Sequence, residues 1–479
     1  MLTQIANRIA EAGGRAFLVG GAVRDQVLGK PSKDLDVEVH GLSADQLVNV
    51  LSGFGRVDAV GSSFGVLKVR AGGDDFDFSL PRRENKVGRG HKGFQVQVDP
   101  EMTTTEAARR RDFTMNAMLM DVLSGNVVDP FGGGTDLAFN ILRMTDAETF
   151  AEDSLRVLRG FQFCGRFELT ADLETERVCA EMVEEFDDLP VERVWEEWRK
   201  WATKSTRPSL GLRFLREVGW LDKFPEVAEL TWIRQDARWH PEGDVFVHTC
   251  EVVDRCARIA TEHDLDDGQR AVLVFAGLCH DFGKVTTTRI EDGRITSHGH
   301  DAAGAEPMRI FLARIGAPKW LTEQVIALVK AHMFRAEPTK RNVRRLAVRV
   351  QPATVEMLTM LMEADQSREP VPVQASFCDG QVRCSRCHRP LTDPDSVARR
   401  MGPVCATKCT PHWQAVWDVA RELACERSEP ESVLMGRHLL AVGMEPGPEM
   451  GEVLRAAFEA QLDGAFSTVD EGVAWVRSR

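Results

Sequence analysis

No run of about eighteen apolar residues occurs in the 479-residue chain, so a transmembrane helix is excluded and no membrane partner is expected. The opening MLTQIANRIAEAGGR is amphipathic and lacks the apolar block of a secretory signal. A cytoplasmic location is the resulting expectation. Positive charge is not in excess: the formal net charge is −13, which argues against a surface coated in cations for indiscriminate nucleic-acid binding. A local basic track stays open, because phosphate contacts depend on where charges sit. The stretch Lys340 to Arg349 (KRNVRRLAVR) carries basic residues and no acid, and reads equally as a solvated helix face or an RNA contact. Internal repeats and long low-complexity tracts are missing. Tyrosine is absent altogether, an absence without a physical account. No disulfide framework is expected, since the 11 cysteines come without a secretory signal.

What the chain does contain fits folded domains. Hydrophobic residues make up 43% and charged residues 28%, a globular balance. The length exceeds one core and predicts about two to four domains. Residues 1–142 alternate β-rich runs with glycine turns. AFLVG, LDVEVH, GVLKVR and DFDFSL read as strands, and Leu2 to Glu11 as a leading helix. Residues 143–239 turn helical, with Leu155, Leu158 and Phe161 on one stripe and VERVWEEWRKWA continuing it. Residues 240–369 are helical with clustered histidines. Residues 370–412 break the pattern with EPVPVQ and a cysteine-rich stretch, and 413–479 return to helix around GMEPGPEMG. The fold class predicted is α+β, a head with a small mixed sheet followed by mostly helical regions. Cys164 and Cys279, in apolar helical contexts, read as small core residues.

The head carries the first chemical constellation. In FLVGGAVRDQVLGKPSKDLDVEV a strand runs into Gly20-Gly21 and a helix begins at Ala22. Glycines there let backbone approach a phosphate, and the helix start offers free N–H donors. Arg24, in the first turn, is placed to clamp a triphosphate. Asp34 and Asp36 follow on a strand, and positions i and i+2 face the same side. Paired carboxylates suit Mg²⁺, a hard cation that takes oxygen ligands. Such metals activate an attacking 3′-hydroxyl and neutralise a leaving pyrophosphate. Asp77, in DFDFSL, is a candidate third ligand. A bare DxD is more often a solvent-facing pair on an edge strand; its place after GGAVRD decides against that here. The basic, glycine-rich Pro81 to Gly93 reads as a flexible loop near the site.

These residues resemble the signature of class II CCA-adding enzymes and their bacterial poly(A) polymerase relatives, in the polymerase-β nucleotidyltransferase superfamily. Two further blocks agree in family order: Arg110 to Ala117 (RRDFTMNA) is similar to the motif RRDFTxNA, and Glu152 to Arg156 (EDSLR) to EDxxR. The resemblance implies template-independent addition or repair of the tRNA 3′-terminal CCA from CTP and ATP. It implies Asp34 and Asp36 as the Mg²⁺ carboxylates, Arg111 and Asp112, with Asn116 in the same motif, as holders of the incoming nucleotide, and Asp153 and Arg156 as readers of the base. Physically, Asp153, Arg156 and Arg159 are spaced by three and share a face if helical. A carboxylate beside guanidiniums can pair with the edges of C and A. CC-only, A-only and poly(A)-adding relatives share these motifs.

Downstream lie His248, His280-Asp281, His300, His332 and Asp365. Adjacent His and Asp at a helix end can bind one metal when a distant His and Asp complete it. The order resembles the HD phosphohydrolase superfamily, H…HD…D, matched by His248, His280, Asp281 and Asp365. The likeness implies a divalent metal such as Mg²⁺, Mn²⁺ or Ni²⁺ and phosphohydrolase activity on RNA 3′ ends, as main or secondary activity. His300 and His332 are placed to support a second metal. A degenerate domain kept for RNA shape is the alternative. Finally, Cys384-x₂-Cys387 and Cys405-x₃-Cys409 are two close thiol pairs that suit a structural, tetrahedral Zn²⁺. His388 or Cys378 could replace one ligand, Cys409 being the least fixed. This insert resembles a small zinc-binding module and is unusual among CCA-adding enzymes. The sequence leaves oligomeric state open.

Overall fold

A computed structural model describes residues 1–31, 35–59, 66–86, 94–236, 240, 242–291, 293–366 and 411–479, without the side chains of 59, 83–86 and 94–96. The chain divides into two compact units, Met1–Ala228 and Glu229–Arg479.

Among the described residues the first unit has eleven strands: β1 (Arg15–Val19), β2 (Leu35–His40), β3 (Val57–Ala59), β4 (Val66–Ala71), β5 (Asp74–Ser79), β6 (Arg82–Lys86), β7 (Phe94–Val98), β8 (Leu119–Asp121), β9 (Val127–Val128), β10 (Ile141–Leu142) and β11 (Thr170–Ala171). Seven of them form one mixed sheet in the order β3-β4-β5-β2-β1-β8-β9. Only β2 and β5 run parallel within it. Alternation decides what each strand buries. In β5, Phe76 and Phe78 go inside while Asp75 and Asp77 turn away. In β2, Val37 and Val39 occupy one face and Asp36, Glu38 and His40 the other. Helix Leu2–Glu11 spans the residues expected and buries Ile5, Ala6 and Ile9. Phe17, Val19, Ala108, Ala117 and Leu119 close a core beside β1.

The four strands read from the sequence form. The Pro81–Gly93 loop needs correcting: β6 pairs antiparallel with β7 as a separate hairpin. RRENK has no apolar alternation, so nothing local marks it as a strand. Residues 87–93 lie outside the described residues. After the sheet, helices Leu155–Phe167, Val191–Lys204 and Pro208–Glu217 pack together. The Phe161 ring lies 4.6 Å from Trp198 and 5.4 Å from Trp201, and all three are fully buried.

In the second unit, helices Val245–Glu262, Asp267–Cys279, Lys319–Ala331 and Val355–Gln366 pack around one another. Helix His412–Glu422 lies against Val355–Gln366 and Lys340–Arg349. A satellite core of Leu434, Ala457 and Phe466 holds the C-terminal segment. The basic helix Lys340–Arg349 engages acids of that segment. Arg341 and Arg345 reach Asp463 at 2.9 and 2.7 Å, and Lys340 reaches Glu422 at 2.5 Å. Its charges act as a clamp on neighbouring helices. Among the described residues, no helix is long and apolar enough to cross a membrane.

Candidate functional site

The first site forms where β1 ends. Gly20 has φ +66° and ψ −131°, a conformation open to glycine and costly for other residues. A Cβ there would lie 3.2 Å from Arg111 Nη1, so the turn also makes room for that guanidinium. The next strand, β2, carries Asp36, exposed, directly opposite Asp77 on parallel β5. Paired positions on neighbouring strands project to the same face. Lys68 Nζ lies 3.2 Å from Asp77. Asp34 lies outside the described residues.

Two residues along the same face stands Glu38, a carboxylate the sequence reading passed over. It is fully buried and takes Arg110 at 3.1 Å, Arg111 at 3.4 Å and His40 at 3.2 Å. Burial alone would raise its pKa, but the bond to His40 and the charges of Arg111 and Arg110 outweigh that and lower it to about 2. The double arginine is thus anchored on β2 from below.

A buried polar chain ties the other motif residues together. Arg24, 4% exposed, donates to Asp25 at 2.8 Å and Asn116 at 2.7 Å and lies over the Phe167 ring at 4.4 Å. It is a strut inside the head, not an open cation at its surface. Asn116 donates to Asp112 Oδ1 at 3.0 Å, the Phe113 amide to the same oxygen at 2.8 Å, and Arg159 Nε to Oδ2 at 2.6 Å. Burial works against the Asp112 anion, but Arg159 and these bonds prevail and hold its pKa below the ordinary value.

Of Asp153, Arg156 and Arg159, the two arginines lie three apart on one helix. The helix begins at Leu155, and Asp153 precedes it, accepting from the Leu155 amide at 3.1 Å and from Arg193 at 3.1 Å. Aspartate is a good acceptor for orphan amides at a helix start, which competes with continuing the helix. Arg156 donates to the carbonyls of Thr149 and, at 2.7 Å, Arg110. The three side chains meet different partners within one region, linked through Arg110 and Asp112 to the RRDFTMNA segment.

The second site is built from helix ends. His248 lies in the first turn of Val245–Glu262, His280 follows Cys279, His332 follows Ala331, and Asp365 nears the end of Val355–Gln366. Gly283 is required here: a Cβ would fall 2.0 Å from the His300 carbonyl and 2.7 Å from the Gly304 amide. Only glycine lets the segment bearing His300 approach so closely. His248 Nε2 is 3.1 Å from Asp365 and 3.9 Å from Asp281 Oδ2, and His280 Nε2 is 3.2 Å from Asp281 Oδ2. Asp281 Oδ1 faces His300 Nε2 at 3.4 Å, and His300 Nε2 faces His332 Nε2 at 3.2 Å. Candidate ligand atoms of His248, His280 and Asp365 lie within 4.8 Å of one another, as do those of Asp281, His300 and His332. The expected quartet is together, and Asp281 joins it to the second His pair.

The hydrogen bonds fix what these rings present. His280, His300 and His332 each place Nδ1 on a carbonyl, of Gly277, Ser297 and Val329 respectively. A carbonyl only accepts, so Nδ1 carries the proton and Nε2 keeps its lone pair. His280 Nε2 is buried without a hydrogen-bond partner. Converging lone pairs and carboxylates are the donor set of a divalent cation. Burial lowers His332 to about 4. Burial also disfavours charged His248, but bonds to Asp365 and Glu242 raise it to about 9. Lys284 Nζ stands 2.7 Å from Asp281 Oδ2 and donates to Gln235 at 2.7 Å. Gln235 and Glu242 were missed because they precede the helices in irregular chain, where spacing carries no signal. The zinc candidates Cys384, Cys387, Cys405 and Cys409, with Cys378 and His388, lie outside the described residues. Cys164 and Cys279 are buried free thiols, as expected of core residues.

Comparison with known proteins follows the same division. Residues 16–143 match a family model described as the poly A polymerase head domain, residues 245–366 match the HD domain, and residues 375–409 match a family of unknown function. A multifunctional CCA protein of Neisseria meningitidis is 32% identical over 465 residues, covering 95% of this chain and 99% of its own. One from Xanthomonas campestris pv. campestris is 36% identical over 368 residues, 74% of this chain and 85% of that protein. Among solved structures, the CCA-adding enzyme of Bacillus stearothermophilus in complex with CTP gives a TM-score of 0.62 at 20% identity, covering 100% of this chain and 96% of that one. The CCA-adding enzyme of Thermotoga maritima complexed with tRNA gives 0.56 at 17%, covering 99% and 94%. The structural likeness is one of fold.

Proposed function

The chain belongs to the family of multifunctional CCA proteins, and from that premise we propose that it adds or repairs the 3′-terminal CCA of tRNA from CTP and ATP. The RNA 3′-hydroxyl attacks the α-phosphate, the new phosphodiester forms, and pyrophosphate leaves. Asp34 and Asp36 would hold Mg²⁺, with Asp77 beside them; the all-oxygen donor set fits that ion. When bound, Mg²⁺ lowers the cost of the charge that develops on the attacking and leaving oxygens. The Gly20-Gly21 turn gives the triphosphate close access to backbone, and Arg111, seated against Gly20 and anchored on Glu38, faces it. Arg24, Asn116, Asp112 and Arg159 hold the pocket in shape. Base reading falls to Asp153 and Arg156, whose present partners must give way to a Watson–Crick edge.

One observation carries the reading: Asp36 and Asp77 stand opposite each other on adjacent parallel strands behind the glycine turn. The test is incorporation of each NTP, singly and together, on tRNA ending before CCA. CTP twice, then ATP once, is expected, and Asp36→Ala should abolish it with folding intact. Addition of C alone, A alone or long A tracts would assign a CC-only, A-only or poly(A)-adding relative instead. Retained incorporation by Asp36→Ala would remove the basis of the assignment.

The second site supports a phosphohydrolase acting on RNA 3′ ends, for which converging imidazole and carboxylate groups are the supporting observation. Its mixed nitrogen and oxygen donors fit Mn²⁺ or Ni²⁺ better than Mg²⁺. Release of cyclic phosphate from an RNA 3′ end should disappear in His280→Ala. Cys384, Cys387, Cys405 and Cys409 are assigned to a structural Zn²⁺, and the enzyme to the cytoplasm.

A further inference from the structure

The imidazoles of the second site are not held alike. His280 and His332 place Nδ1 on carbonyls of the last turn of the preceding helix, where backbone acceptors have no intrahelical partner. His300 uses the Ser297 carbonyl of a turn. His248 is in the opposite situation. It sits in the first turn of Val245–Glu262, where the amides are orphaned and the carbonyls are taken up by the helix. Its Nδ1 meets Glu242 Oε1 at 2.8 Å instead.

We propose that Glu242 is the positioning residue of the phosphohydrolase site. Its carboxylate replaces the carbonyl that a helix start does not supply, fixes the Nδ1–H tautomer of His248, and keeps Nε2 aimed at Asp365 and Asp281. The inference rests on reading that site as a divalent-metal centre. A second contact steadies the carboxylate: His240 Nδ1 reaches the same oxygen at 2.9 Å, with the two rings 4.7 Å apart and nearly perpendicular. Glu242 is itself only 12% exposed, so water does not readily take its place. A carboxylate behind a ligating imidazole orients the ring and raises its basicity, and losing such a partner weakens metal binding about 10- to 100-fold.

The test measures Mn²⁺ affinity calorimetrically on the full chain in a background carrying Asp34→Ala, Asp36→Ala and Asp77→Ala, so that the head carboxylates do not contribute. Glu242→Ala should bind Mn²⁺ about 10- to 100-fold more weakly. Glu242→Gln, whose amide oxygen still accepts from Nδ1, should recover most of the loss. Asp281→Ala should lose the binding and serves as the reference. If Asp281→Ala binds as tightly as its parent, the metal-centre reading fails. If Asp281→Ala loses binding while Glu242→Ala keeps it, the positioning role alone is wrong. Equal losses in the Ala and Gln variants, both melting cooperatively, would also overturn it.

Discussion

Replacing Asp112 tests whether the head is held by its buried polar chain. The carboxylate serves three donors: the Phe113 amide and Asn116 Nδ2 on Oδ1, and Arg159 Nε on Oδ2. In Asp112→Asn the amide oxygen can keep the first two, which turns the NH₂ group toward Arg159 and sets donor against donor. The loss is one charge-assisted hydrogen bond, about 1.5–3 kcal/mol. Arg159 is 35% exposed, so water recovers part of it, and about 2 kcal/mol remains. Asp112→Ala leaves all three donors without a partner, at about 1–3 kcal/mol for each one buried, and should cost about twice as much. For a unit of this size, about 2 kcal/mol lowers the melting temperature by about 4–8 °C. The pH dependence supplies a sharper check. The folded pKa of Asp112 lies below its ordinary value, so its contribution is present above about pH 4 and is lost as pH falls through the folded value. The gap between wild type and Asp112→Asn should be full at pH 7 and narrow in acid. Calorimetric melting of both proteins from pH 7 to pH 3 measures it. An unchanged melting temperature, or a gap that stays constant into acid, would refute the keystone role.

Two other outcomes follow from contacts already described. Gly283→Ala places a methyl group 2.0 Å from the His300 carbonyl; the short helix His300–Ala303 must shift, and a displacement near 1 Å at a catalytic centre costs about 100-fold. Phosphohydrolase turnover should drop by that order while CCA incorporation persists, and equal loss of both would point to general misfolding. Neutralising Arg341 and Arg345 by Gln should leave the salt dependence of tRNA binding unchanged, because both guanidiniums are engaged by Asp463; a slope reduced by about one per residue would place this helix on the RNA.

The parts legible in sequence were those fixed by short-range periodicity. Asp36 on the outward face of β2 follows from alternation alone, and the HD quartet was legible because His280-Asp281 closes an apolar run and the order H…HD…D resembles a known family. Glu38 obeys the same alternation as Asp36, yet one is exposed and the other fully buried. What separates them is the Arg110-Arg111 segment, some seventy positions later, and no local pattern announces that contact. Asp153 shows the converse failure. Spacing by three suggested a helix face, but an aspartate just ahead of a helix is worth more as an acceptor for orphan amides. Periodicity gives faces, and tertiary packing decides which face is wet.

The two sites differ in donor chemistry, and that difference makes a separable prediction. The head offers carboxylate oxygens, of which Asp36 is exposed and Asp77 partly so; such a set leaves room for water and phosphate oxygens, which is how Mg²⁺ is usually bound. The second site offers imidazole nitrogens from His248, His280, His300 and His332 against carboxylates from Asp281 and Asp365, with Asp281 reaching both halves. Nitrogen donors favour the later divalent ions in the order Mn²⁺ below Ni²⁺, and the site's burial leaves little room for the waters Mg²⁺ retains. CCA incorporation should therefore follow Mg²⁺ alone, while cyclic-phosphate release should be switched on by trace Ni²⁺ or Mn²⁺ against a large excess of Mg²⁺. Metal-stripped enzyme, titrated with each ion while both products are followed, decides the matter. Two activities rising together on a single ion would mean that the imidazole cluster does not select its metal by donor type, and the physical basis for treating the sites as independent would be gone.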